Sequence, residues 1–132
     1  MGQAIFLKAK FVYTGIRVKD LKESLDFYTK VLGMRVASRS KIPVAKGEVV
    51  NLESEGQGFY LELNHYEDES KYNTIYRSGE ELDHLAFQVE DIEKFEAAAE
   101  ELGYPVVAEM KTDKSRWVYI KDPNGIWIEI LQ

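Results

Sequence analysis

Two stretches of this chain alternate apolar and polar residues, and each alternation gives way to a helical period. In Val12-Tyr13-Thr14-Gly15-Ile16-Arg17-Val18 the residues Val12, Thr14, Ile16 and Val18 fall on one side, the period-two pattern of a strand with one face on a core. Asp20 then offers an acceptor to the free first-turn amides of a helix. Leu21, Leu25, Tyr28 and Leu32 recur at helical spacing, and Gly33 supplies a left-handed stop. The succession returns in ELDHLAFQVED: Leu85, Phe87 and Val89 alternate, Asp91 caps, Ile92, Phe95, Ala99 and Leu102 follow at helical spacing, and Gly103 stops the helix.

Each helix is followed by three β-leaning segments. In the first copy these are MRVASRS, EVVNLES and FYLELNH; in the second they are VVAEM, WVYIKD and IWIEILQ. The turn DPNG joins the last two, with Pro123 in its second place and Asn124-Gly125 suited to positive φ. The repeat predicts an α+β domain spanning residues 1–132, built from two βαβββ modules at 11–65 and 82–131, with curved mixed sheets and the helices outside. The polar stretch YEDESKYNTIYRSGEE between them reads as loop or frayed helix.

Alternation also assigns sides to chemistry. With Leu61 and Leu63, Leu85 and Phe87, and Ile128 and Ile130 toward the helices, Tyr13, Glu62, His84 and Glu129 stand on the opposite face. Tyr13 and His84 occupy equivalent places in the two copies, as do Glu62 and Glu129. Two carboxylates and an imidazole on otherwise apolar strands are costly to bury unless something neutralises them, and a divalent metal does so. Tyr60, Trp117, Tyr119 and Trp127 share that face and read as the wall of an apolar pocket.

Composition narrows the classes. The 132 residues, 45% hydrophobic and 30% charged, suit one globular domain with a real core. A net charge of −6 leaves no electrostatic footprint for nucleic acid or an anionic membrane. Without cysteine there is no thiolate metal site, disulfide or thiol nucleophile. No run nears the roughly 18 apolar residues of a spanning helix, and no signal peptide is evident, so a cytoplasmic protein is expected.

The segments TGIRVKDLKESLDFYTKVLGM, DHLAFQVED and KDPNGIWIEIL resemble the vicinal-oxygen-chelate superfamily, which includes glyoxalase I, extradiol dioxygenases and bleomycin-resistance binding proteins. The resemblance runs from about Phe11 to Leu131 and is nearest to glyoxalase I. It implies a divalent ion (Zn, Ni, Co, Mn or Fe) held at the places of Tyr13, Glu62, His84 and Glu129. Three of these match; Tyr13 stands where relatives have His or Gln, and a phenol serves either as ligand or as a donor to a substrate oxygen. It also implies a lyase or isomerase that chelates neighbouring substrate oxygens and moves a proton through an enediolate-like intermediate, with Glu129 or Glu62 as base. Arg17 falls where glyoxalase I contacts the glutathione part of its substrate, whereas Tyr66 replaces an asparagine there. A small-molecule substrate and a homodimer are further implications, with the site either within one chain or across two. The alternatives are a metal-free binding protein of the bleomycin-resistance kind and, after it, an extradiol dioxygenase, whose two-histidine set Tyr13 breaks.

Overall fold

The computed structural model describes residues 13–56, 58–75, 77, 82 and 84–132. Val12 at the start of the first predicted strand, and residues 76 and 78–81 of the predicted linker, lie outside the described residues. Among the described residues, β1 (Thr14–Arg17), β2 (Arg35–Ile42), β3 (Gly47–Glu53) and β4 (Tyr60–Tyr66) form one sheet in the order β1-β4-β3-β2. The strands β5 (Leu85–Gln88), β6 (Ala108–Lys111), β7 (Arg116–Lys121) and β8 (Trp127–Leu131) form a second in the matching order β5-β8-β7-β6. In each sheet the first strand runs parallel to the fourth and the rest are antiparallel.

The helices α1 (Leu21–Asp26) and α2 (Ile92–Glu101) begin as the sequence predicts. Asp20 accepts from Glu23 N at 2.9 Å and Asp91 from Lys94 N at 3.1 Å, satisfying first-turn amides that have no helical partner. Gly33 and Gly103 stop both copies with φ of 69° and 96°. Between α1 and Gly33 the expected single helix instead widens into a π-helical turn over Phe27–Val31, where Leu32 N reaches back five residues to Phe27 O. The wider turn accommodates two successive buried aromatics, Phe27 and Tyr28. Leu102 also departs from expectation: α2 ends at Glu101, and Leu102 is exposed.

The core is continuous across the two modules. Val50, Leu52 and Leu63 of the first sheet and Val118, Ile120, Ile128 and Ile130 of the second are fully buried in one cluster with Phe27 and Tyr28. Truncating any one of them to alanine is expected to cost about 2–5 kcal/mol.

A seam of buried polar contacts joins α1 to the turn between β7 and β8. Asp122 accepts from the Tyr28 hydroxyl (3.0 Å), Asn124 N (2.8 Å) and Ile126 N (2.7 Å). Asn124 Nδ2 donates to Ser24 Oγ at 3.1 Å, and Asn124 Oδ1 accepts from Lys19 N at 3.0 Å. The positive φ of this turn belongs to Gly125 (86°), and Asn124 does not share it as the sequence reading expected. The Gly125 N to Asp122 O bond closes the turn with Asp first, Pro second and Gly last, the arrangement a type I turn prefers.

Candidate functional site

The two sheets present their chemistry in register. In the first, Gly15 of β1 lies opposite Glu62 of β4, and in the second Ala86 of β5 lies opposite Glu129 of β8. Tyr13 and His84 each sit two residues before that paired position. The alternation predicted from sequence holds: Leu61 and Leu63 are buried while Glu62 is half-buried, and Ile128 and Ile130 are buried on either side of half-buried Glu129.

In the second sheet His84 Nε2 stands 4.0 Å from Glu129 Oε2. Tyr119, opposite Glu129 on β7, donates its hydroxyl proton to Glu129 Oε1 at 2.9 Å. Trp117 Nε1 in turn donates to the Tyr119 hydroxyl oxygen at 3.2 Å. The Tyr119 ring packs edge-on against both His84 and Trp127, with centroids 6.1 and 5.5 Å away. Of these groups His84, Tyr119 and Trp127 line a cavity of about 410 Å³ together with Ala108, Glu109 and Met110, whereas Trp117, expected in its wall, is not part of the lining. Beside it, Arg116 bonds both Glu109 and Glu96, which keeps the Glu109 carboxylate engaged at the rim.

The first sheet is arranged differently. A methyl group placed on Gly15 would lie 3.3 Å from Asn64 Nδ2, 3.8 Å from Tyr13 Cε2 and 3.9 Å from Glu62 Oε1, so the amide, the phenol ring and the carboxylate surround the same stretch of backbone. Glu62 makes no hydrogen bond or ion pair among the described residues. Arg17 Nη1 donates to Tyr72 O at 3.1 Å and Thr74 Oγ1 at 2.7 Å, which ties the loop after β4 to β1. Tyr60 is exposed on the first sheet and does not line the cavity around His84.

Within one chain the predicted residues therefore fall into two groups, Tyr13 with Glu62 and His84 with Glu129, Trp117, Tyr119 and Trp127. Among the described residues no three of His, Asp or Glu stand close enough together to hold a metal ion in a single chain. Sequence reasoning missed Ala108 and Met110 as cavity residues. Their signal lay in register: Ala108 pairs with Tyr119 and Met110 with Trp117, so the four share a face.

Neutral imidazole and carboxylate are donor types that borderline ions take. With metal–ligand bonds of about 2.0–2.2 Å, two atoms on one ion stand at most about 4.4 Å apart. That limit belongs to atoms on opposite sides of the ion; tetrahedral ligand atoms stand about 3.3–3.6 Å apart, so the 4.0 Å between His84 Nε2 and Glu129 Oε2 closes on one ion with a small turn of either side chain.

Relatives share both the sequence and the fold. The chain is 31% identical to the lactoylglutathione lyase of Pseudomonas aeruginosa over 98% of its own length and 85% of that protein. It is likewise 31% identical to the lactoylglutathione lyase of Neisseria meningitidis, covering 93% of this chain and 90% of the relative. The crystal structure of the trypanothione-dependent glyoxalase I of Leishmania major superposes with a TM-score of 0.77 at 30% identity, over 95% of this chain and 87% of that one. The family model matches residues 10–130, which takes in all but the last residue of the two modules and every candidate site residue. With its two βαβββ modules in matching strand order, the chain belongs to the Glyoxalase/Bleomycin resistance protein/Dioxygenase superfamily.

Proposed function

We propose that the chain is a glyoxalase I-type lyase, a lactoylglutathione lyase that uses a divalent metal and works as a homodimer. The observation that carries this reading is the His84–Glu129 pair, set beside a cavity and repeated in register by Glu62 on the other module. The names of the relatives in Pseudomonas aeruginosa and Neisseria meningitidis supply the reaction class.

Glu62, His84 and Glu129 would hold the ion, and Tyr13 lies in the fourth place. When bound, the ion supplies Lewis-acid stabilisation of negative charge developing on substrate oxygen. Because the two groups do not meet within one chain, Tyr13 and Glu62 of one copy would face His84 and Glu129 of the other. The apolar residues exposed on the two sheets, Tyr13 and Tyr60 on one and Met110 and Trp127 on the other, support that pairing, since they would be covered by it.

The chain's own groups account for the proton movement. A carboxylate, Glu129 or Glu62, takes the proton from one substrate carbon and returns it to the neighbouring carbon. The net change is an isomerisation in which no atom is lost. Trp127, Tyr119 and Met110 wall the cavity with apolar surface.

The test is metal analysis of untagged protein together with an assay on the methylglyoxal–glutathione hemithioacetal. Near-stoichiometric divalent ion that is lost in His84→Ala, with thioester formed by the wild type, is the expected result. Full supplementation without metal uptake would overturn the reading in favour of a metal-free binding protein.

A further inference from the structure

The hydrogen bonds around Glu129 have a fixed sense. An indole N–H can only donate. Trp117 donates to the Tyr119 oxygen at 3.2 Å, so that oxygen serves as an acceptor there, and its proton is directed to Glu129 Oε1 at 2.9 Å. An ionised carboxylate only accepts, which agrees with this direction. Oε1 is thereby engaged, and Oε2 is the oxygen turned to His84 Nε2. Edge-on packing against His84 and Trp127 holds the phenol ring from two sides.

The first module lacks this device. The residue opposite Glu62 on β3 is Asn51, in the place that Tyr119 takes opposite Glu129. Asn51 Nδ2 donates to Ser38 Oγ at 3.0 Å, away from the carboxylate. The bond to Glu129 is thus a feature of one half of the repeat and not a by-product of the fold.

We propose that Tyr119 is the positioning residue of Glu129: its hydroxyl holds Oε1 so that Oε2, beside His84, is the single oxygen offered to the divalent ion, and Trp117 sets the direction of that bond. The inference rests on Glu129 being a metal ligand. Groups that orient a ligand in this way typically contribute about 10–100-fold to metal affinity.

Cobalt(II) titration of the metal-stripped full chain, followed by visible absorption, tests it. Tyr119→Phe keeps the ring packing and deletes only the hydroxyl. It is expected to weaken cobalt binding about tenfold or more and to alter the absorption bands of the bound ion, because Oε1 is released. Thermal melting of the metal-free variant should match the wild type, which a merely structural role for the hydroxyl would not allow. Trp117→Phe should shift affinity in the same direction by less, and it decides the matter if Tyr119→Phe does not fold. Wild-type affinity and spectrum in Tyr119→Phe, with binding lost in Glu129→Ala, would overturn the role of Tyr119 and leave the site intact. Equal cobalt binding by wild type and Glu129→Ala, or none by the wild type, would overturn the site and this inference together.

Discussion

The two modules share one backbone plan and differ in how they hold their carboxylates. Glu129 sits in a ready-made setting: a phenol on one oxygen, an imidazole near the other, and a cavity alongside. Glu62 has the same register and the same half-buried strand position, yet no bond fixes it among the described residues. Opposite it stands Gly15, where the second module has Ala86, with the Asn64 amide and the Tyr13 ring bordering the same stretch of backbone. One half of the repeat is organised in advance. The other is not.

The largest effect that would sharpen this contrast comes from the carboxylates themselves. Glu129→Gln should lower activity on the hemithioacetal by about 10²–10⁴-fold, the usual loss when a general base is removed. Glu62→Gln should also abolish metal uptake if both belong to one centre; normal uptake there would separate the two halves.

The seam between modules should respond next. Asp122→Ala strips the acceptor from the Tyr28 hydroxyl and two backbone amides in a buried site, and about 3 kcal/mol of stability should be lost in urea unfolding. A loss below about 0.5 kcal/mol, the range of an ordinary surface change, would show that α1 and the 122–125 turn are not coupled there.

Tyr13→His makes the first module resemble the second. Imidazole is a common ligand of borderline divalent ions and a tyrosine phenol is not, so cobalt or zinc affinity should rise about tenfold. An unchanged affinity would assign Tyr13 to the substrate instead.

The smallest effect is a pH dependence at the same seam. Tyr104 packs edge-on against Phe27 at 4.6 Å. Burial, then the carboxylates of Glu23, Asp122 and Asp26, raise its phenol above the usual value. A raised folded pKa gives stability that is complete below the unfolded value of about 10 and is lost as pH rises through the folded one. The urea midpoint should therefore fall above about pH 10, and by less in Tyr104→Phe; an identical alkaline fall in both would remove Tyr104 as its source.

Much of this molecule was legible in its sequence, for identifiable reasons. Period two fixes faces, so the alternation alone sets Glu62 and Glu129 apart from the buried residues on either side of them. The caps Asp20 and Asp91 and the stops Gly33 and Gly103 act within a few residues, and local chemistry suffices to find them. What escaped depends on groups far apart in the chain. Asn124 bonds Ser24 across 100 residues, and Tyr28 bonds Asp122 across 94, so neither the π-helical turn nor the turn's true dihedral pattern was visible locally. The Tyr119–Glu129 bond needed the cross-strand register. Sequence offered Tyr119 as part of an apolar wall and gave no sign of where its hydroxyl points.

We propose that Glu62 of one copy and His84 with Glu129 of another complete a single metal centre. Hybrid dimers formed by mixing Glu62→Ala chains with Glu129→Ala chains test it most directly. Each variant alone should bind no zinc, while the hybrid should regain one intact centre per pair, read as bound zinc and as returning lyase activity. A hybrid that stays empty, although both chains are folded and paired, would contradict a centre shared between two copies.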